Sequence, residues 1–296
     1  MKKSCYFLSF LFLSILILVS CNSNSDHEAD IAYIRQLKMH VPDFKVDEDT
    51  RTAIVFTADN TLQLVWAEND TIGIFPNMGG QVAFPMMNGA GSKNATFDGG
   101  GWGLRSDYTY SAYYPLIGQF NLDKKAIPLL LKGQTQRGNN NSGHIAAYDY
   151  MIARNSAVDA DGNVSFDFSH LVGILHLVFK MPESVQGVEI SSLALITDGQ
   201  FTSAATLDLT TGEVMATANS SSMLLTLKDA TITDVKSEYL EVYMTILPVS
   251  LNSNGNSLRA VIVDKNGLEY TATLPAKDFV AGTIYNIGRS AKLMTD

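Results

Sequence analysis

The chain has 296 residues, with 30 acidic against 21 basic side chains, a formal net charge of −9 and two cysteines. The basic residues are scattered, which excludes the positive stripe that a nucleic-acid partner requires. The length suits two domains of about 100–150 residues, each large enough to bury a core without disulfides or metals.

Lys2 and Lys3 precede an uncharged apolar run from Cys5 to Val19, the layout of a signal peptide. At about 15 residues the run is shorter than the roughly 20 that a spanning helix needs. Its exit, Leu18-Val19-Ser20-Cys21, resembles a bacterial lipobox, where a signal peptidase cuts before a cysteine carrying a diacylglyceryl group. Residues 1–20 are read as a lipoprotein signal peptide and Cys21 as the lipidation site. Acyl chains contribute about 0.8 kcal/mol per buried CH₂, and more than one is needed for stable anchoring. With Cys5 removed and Cys21 acylated, no disulfide is available. No later apolar run is long enough to span a bilayer as a helix.

Residues 22–28 are polar and acidic and read as a tether. Over 31–46 the pattern is ambiguous. Ile31, Ile34, Leu37 and Val41 suit a weak helical stripe, Met39-His40-Val41 suits an extended chain, and Pro42 argues against a helix that continues. Asp47-Glu48-Asp49-Thr50-Arg51 follows as a charged connector.

From Thr52 the texture is that of short β-branched and aromatic runs punctuated by Gly, Asn, Asp and Pro. Strands are predicted over 52–57, 62–66, 71–75, 81–84, 95–97, 108–114, 127–131 and 148–153. The turn cluster Asp159-Ala160-Asp161-Gly162-Asn163 follows as a domain boundary. Beyond it, strands are predicted over 164–171, 174–180, 188–196, 204–209, 223–227, 239–249, 258–264, 269–274 and 283–291. Lys265-Asn266-Gly267 reads as a tight hairpin turn with both Asn and Gly at positive φ, and residues 208–213 as a second turn. No βαβ alternation appears, so the expectation is an all-β chain of two sandwich domains, 52–161 and 162–296, behind a tether, 21–51.

Several segments occur in the order found in one family. They are Thr50-Arg51-Thr52, residues 66–75 (WAENDTIGIF), Tyr113-Tyr114-Pro115, Asp149-Tyr150-Met151-Ile152-Ala153, residues 166–171 (FDFSHL) and residues 279–285 (FVAGTIY). Behind a lipobox, and over roughly residues 18–290, they resemble the fimbrillin lipoproteins of the Bacteroides and Porphyromonas type. The resemblance implies two tandem transthyretin-like β-sandwiches, a lipid-anchored precursor at the outer membrane and cell surface, and assembly into fimbriae. It also implies that an arginine-specific protease removes an N-terminal segment and that a strand from a neighbouring subunit fills the groove left behind. Arg51 is the matching cleavage position and Arg35 the second. Residues 31–46 would then be the displaced strand. The partners implied are other fimbrial subunits, the membrane through lipid, the protease, and a host or bacterial surface ligand. The role so implied is structural or adhesive and not enzymatic. Tyr285, Ile287, Arg289, Ala291 and Leu293 share one face of an extended chain, either as a donor strand or as the last strand of the chain's own domain. The short tail beyond suits a tip, anchor or accessory subunit.

The chemistry in the residues themselves is sparse, and neither a cofactor nor a metal is expected. His170 and His176 lie about 20 Å apart if the strand between them is unbroken, too far to share a metal. Ser-His-Asp chemistry has raw material in His144, His170 and Asp149 but no Gly-x-Ser-x-Gly elbow. Gly99-Gly100-Gly101 lacks the lysine and helix of a phosphate loop, and the Asp159–Asn163 turn lacks the rest of a calcium loop. Tyr108, Tyr110 and Tyr114 share a strand face, with Trp102 upstream. Exposed, these aromatics would stack on sugar rings, as in a monomeric glycan-binding lipoprotein; buried, they are core.

Overall fold

The structure is a computed structural model that describes residues 36–47, 64–97, 105–118, 122–185, 187–232 and 238–294. They lie in one compact unit, Ala32–Asp296. The strands of the first half are β1 (Gln36–His40), β2 (Lys45–Val46), β3 (Thr71–Pro76), β4 (Val82–Asn88), β5 (Asn94–Phe97), β6 (Tyr110–Tyr114), β7 (Ile127–Leu130), β8 (Thr135–Arg137) and β9 (Met151–Ser156). Next come β10 (Asn163–Asp167), β11 (Ser169–His170), β12 (Gly173–Lys180), β13 (Glu189–Asp208), β14 (Glu213–Thr231) and β15 (Tyr239–Ile246). The last are β16 (Val249–Ser250), β17 (Leu258–Asp264), β18 (Glu269–Leu274), β19 (Asp278–Phe279), β20 (Thr283–Ser290) and β21 (Lys292–Leu293). No α-helix occurs among the described residues, so the all-β expectation holds.

An eight-stranded sheet has the order β10-β1-β5-β4-β3-β6-β9-β11. Trp66 is its central core residue. It is buried, and its ring meets Phe97, Tyr114 and Phe168 edge-on at centroid distances of 5.2, 5.4 and 5.9 Å, a favoured aromatic geometry. Trp66 itself is not in a strand, although 62–66 is predicted as one; residues 64–66 form a loop, and the predicted strand at 52–57 lies outside the described residues. Gly73 in β3 has a packing reason. A Cβ there would meet the Tyr113 ring at 2.2 Å, so this sheet closes only with glycine at that position.

The second half builds a four-stranded sheet, β15-β12-β20-β2, and a seven-stranded layer in which β21-β18-β17-β13-β14-β8 are joined by β7 on β13. β12 (GILHLVFK) is apolar on both faces, and every residue except Lys180 is buried, which is the pattern of a strand covered on both sides. Sheet membership does not divide at 161/162. β10 and β11 pair with β1 and β9, while β7 and β8 pair with β13 and β14.

The predicted strands at 188–196 and 204–209 are one strand, β13, and 223–227 is the centre of β14. The register shifts around Ile196–Phe201 and Thr202–Ala205 break the alternation that a sequence reading follows. The turn at 264–268 is not the predicted two-residue type. Of Asn266 and Gly267, only Gly267 has positive φ. The buried Asp264 carboxylate accepts the N–H groups of Asn266 and Leu268 at 2.8 and 2.9 Å, so a side chain organises the turn.

One edge is closed by side chains instead of a strand. β8 gives its backbone to β14 and the neighbouring amides to β15. Gln134 accepts the Thr245 N–H at 2.8 Å and donates to Thr245 O at 2.9 Å. Gln136 accepts the Tyr243 N–H and donates to Glu241 O, both at 2.9 Å. Asn139 accepts the Glu241 N–H at 2.8 Å and donates to Tyr239 O at 2.9 Å. Three amides thus do for β15 what a further strand would do, and both glutamines are fully buried.

Gln136→Leu strips the partner from the Tyr243 N–H, while the Glu241 carbonyl keeps the Asn140 N–H at 3.0 Å. An unsatisfied buried group costs about 1–3 kcal/mol, so urea denaturation is expected to show a loss of about 2 kcal/mol. Burial also pushes the phenols of Tyr110, Tyr113 and Tyr243 up to about 12. A raised phenol favours the folded state below its ordinary value, near 10, and the advantage disappears as pH rises through the folded value. Ultraviolet titration is expected to show these tyrosines ionising late, with stability falling between about pH 10 and 12.

Candidate functional site

The candidate site is the seat of the N-terminal segment 36–47. The residues of β1 alternate, with Leu37 and Met39 buried and Gln36, Lys38 and His40 exposed, as expected of a half-buried strand. The helical alternative for this stretch is therefore replaced by the extended one. Both edges of β1 are paired. It runs parallel to β10, from Gln36 opposite Asn163 to His40 opposite Asp167, and antiparallel to β5, from Leu37 opposite Phe97 to His40 opposite Asn94. Leu37, Met39 and Val41 pack into the Trp66 core with Ile72, Phe84, Phe97 and Phe166. Burying each such side chain contributes roughly 1.5–3 kcal/mol.

After Val41 the segment crosses to another sheet. Lys45 N–H bonds Gly282 O at 2.8 Å and Asp47 N–H bonds Ile284 O at 2.9 Å, which places β2 parallel to β20. Asp43 pairs with Lys93, and Asp47 with Lys277 at 2.5 Å. The solvent side of the seat is an open cavity of about 470 Å³ whose lining mixes Lys38, His40, Ser165 and Asp167 with Met39 and Phe166.

At the crossing sits a buried pair. His170 Nδ1 lies 2.7 Å from Asp149 Oδ1, and His170 Nε2 lies 3.2 Å from Pro42 O. Burial pushes the Asp149 carboxyl up, and the hydrogen bond from His170 offsets part of that rise. The Asp–His contact is half of a hydrolytic triad in form, but the second imidazole nitrogen faces a backbone carbonyl where a triad places a hydroxyl. His176 is separate. It stacks on Tyr243 at 4.5 Å and contacts Asn286 and Glu241. No group of three or more potential metal ligands occurs among the described residues.

Cys21, Arg35, Arg51 and Trp102 lie outside the described residues. Tyr110 and Tyr114 are buried, at 1% and 7% exposure, and Tyr114 donates to Asp70 at 3.0 Å. Their faces belong to the core and are closed to a sugar ring. Tyr108 is half-buried under the Arg105 guanidinium. Within this chain β20 pairs with β12 from Ile284 to Ser290. The contact of His170 with Pro42 O and the amides at and beside β8 have no counterpart among the residues singled out in the sequence. The Gln-x-Gln alternation in 134–136 was the available signal for the latter.

The pattern of the fimbrillin-like family matches residues 50–289. The chain belongs to the fimbrillin-like family. No curated protein matches it in sequence. Among solved structures, a candidate cell adhesion protein from Bacteroides ovatus shares 16% identity at a TM-score of 0.56, covering 90% of this chain and 97% of that one. Another from Bacteroides uniformis shares 18% identity at a TM-score of 0.55, covering 78% and 92%. At these identities the likeness establishes the fold. In this fimbrillin-like chain, the matched region begins just after the segment that contains β1.

Leu37→Ala in the fimbrillin-like chain is expected to cost about 3 kcal/mol in urea denaturation, as large-to-small core changes do. Lys38→Ala, on the solvent side of the same strand, is expected to stay within about 0.5 kcal/mol.

Proposed function

We propose that this chain is a cell-surface fimbrial subunit or accessory protein, made as a lipid-anchored precursor at Cys21 and assembled by exchanging β1 for a strand of a neighbouring subunit. Family membership supports the fimbrial or adhesive role and a structural, non-enzymatic one. The observation that carries the exchange step is the position of β1. It is an interior strand of the eight-stranded sheet, yet it belongs to a segment that precedes Arg51 in the chain. A cut at Arg51 separates β1 from the rest of the polypeptide, whereas a cut at Arg35 leaves it attached. Once β1 is gone, the facing edges of β10 and β5 carry unpaired N–H and C=O groups beside the cavity vacated by Leu37 and Met39. An extended strand with alternating apolar residues satisfies both needs at once. Because β20 is held by β12, this chain is proposed to act here as the acceptor.

The test is limited digestion with an arginine-specific protease, followed by mass and size analysis. Arg35→Ala is expected to behave as the unaltered chain, and Arg51→Ala is expected to block both release of the segment and multimer formation. A chain cut after Arg51 that keeps its segment and stays monomeric would sink the exchange reading. Cys21→Ser is expected to move the protein out of the membrane fraction without changing the fold.

A further inference from the structure

The segment 36–47 is held by two strands in two sheets, and between them Val41–Phe44 has no strand neighbour of its own. Among the described residues, that crossing carries a buried ionisable pair that touches the segment. The His170 and Asp149 side chains are 1% and 3% exposed. Pro42 has no N–H, so its carbonyl is the only backbone group it offers. A carbonyl only accepts, and His170 Nε2 therefore carries the hydrogen of the 3.2 Å contact. The other nitrogen is committed to Asp149 at 2.7 Å, which fixes the ring's orientation. Phe44 then lies over the imidazole at a centroid distance of 3.7 Å and an interplanar angle of 31°. His170 thus meets the segment twice, once at a carbonyl and once at a ring two residues later.

We propose that His170, oriented by Asp149, is the positioning residue of the N-terminal seat: it clasps Pro42 and Phe44 in the resident segment and selects a replacement strand that offers a backbone carbonyl followed two residues later by an aromatic ring. This rests on the exchange reading above and adds a specificity element to it. The physical basis is the cost of an unpaired buried polar group. When the segment lifts, the Nε2–H loses its acceptor before water has room to replace it. The clasp therefore slows departure without altering where the two strands pair. An incoming strand with alternating apolar residues but no ring at the Phe44 position fills the sheet and leaves the imidazole uncovered.

The test is a double-mutant cycle in the uncut full chain, read by amide hydrogen exchange. The Lys45 and Asp47 amides are the reporters, because each bonds a carbonyl at β20. His170→Ala and Phe44→Leu are each expected to speed exchange at these two amides about tenfold, the scale of one lost hydrogen bond. The double variant is expected to be no faster than either single one, and β12 amides are expected to be unchanged. Additive effects, equal acceleration in β12, or no acceleration at all would each overturn the clasp. Phe44 is half-buried and on the segment itself, so its variant keeps the test open if His170→Ala fails to fold. After cleavage at Arg51, the segment is expected to leave His170→Ala about ten times faster. If it leaves neither protein, the exchange reading fails, while the measurements on the uncut chain still decide the clasp.

Discussion

A buried strand edge has to find partners for every N–H and C=O it presents, and this requirement shapes the molecule more than any single contact. It is met in two ways. β1 is paired by backbone on both sides. β15 is paired by backbone on one side and by the amides of Gln134, Gln136 and Asn139 on the other. The first solution uses a strand near the start of the described chain, which makes the eight-stranded sheet dependent on a segment far from most of its own sequence. The second uses side chains in and beside the three-residue strand β8, whose backbone is engaged elsewhere, and it ties the two sheets of the second half together along one side.

These solutions differ in how each edge is closed. The amides seal β15 from within a core where both glutamines are shut away from water. The β1 seat is different. It combines an apolar floor, two flanking strands and an open cavity on its outer face, and its occupant joins the rest of the chain through a connector that contains Arg51. Burial of Leu37, Met39 and Val41 supplies most of the attraction. The His170 contacts add a hydrogen bond to Pro42 O and a ring contact with Phe44 at the crossing.

Much of this fold was legible in the sequence. β17 and β18 match the predicted ranges residue for residue, because segments rich in β-branched and apolar residues flank a strong turn signal. β1 was harder to read. Four apolar residues at mixed spacing and a following proline left 31–46 open between helix and strand, and only pairing with β10, more than a hundred residues later, decides it. The division at 161/162 was drawn at a genuine turn, held by Asp159 accepting the Asp161 and Asn163 N–H groups at 3.0 and 2.8 Å, but a turn is a local event and sheet membership is not. The tyrosine stripe shows the same limit. Alternation placed Tyr108, Tyr110 and Tyr114 on one face, and only the second layer of packing reveals that the face is the inner one for Tyr110 and Tyr114. His170 was visible as a sheet histidine, while its partners Asp149 and Pro42 sit 21 and 128 residues away.

The two-sided ladder on β1 has a mechanical consequence. Bonds on both flanks run across the strand, so a load applied along its axis stretches all of them together and none can fail first. A load that lifts one end breaks them singly, and at the C-terminal end the first obstacle is the crossing at Pro42 and Phe44. A seat of this form holds its strand against tension along the strand axis and yields to peeling.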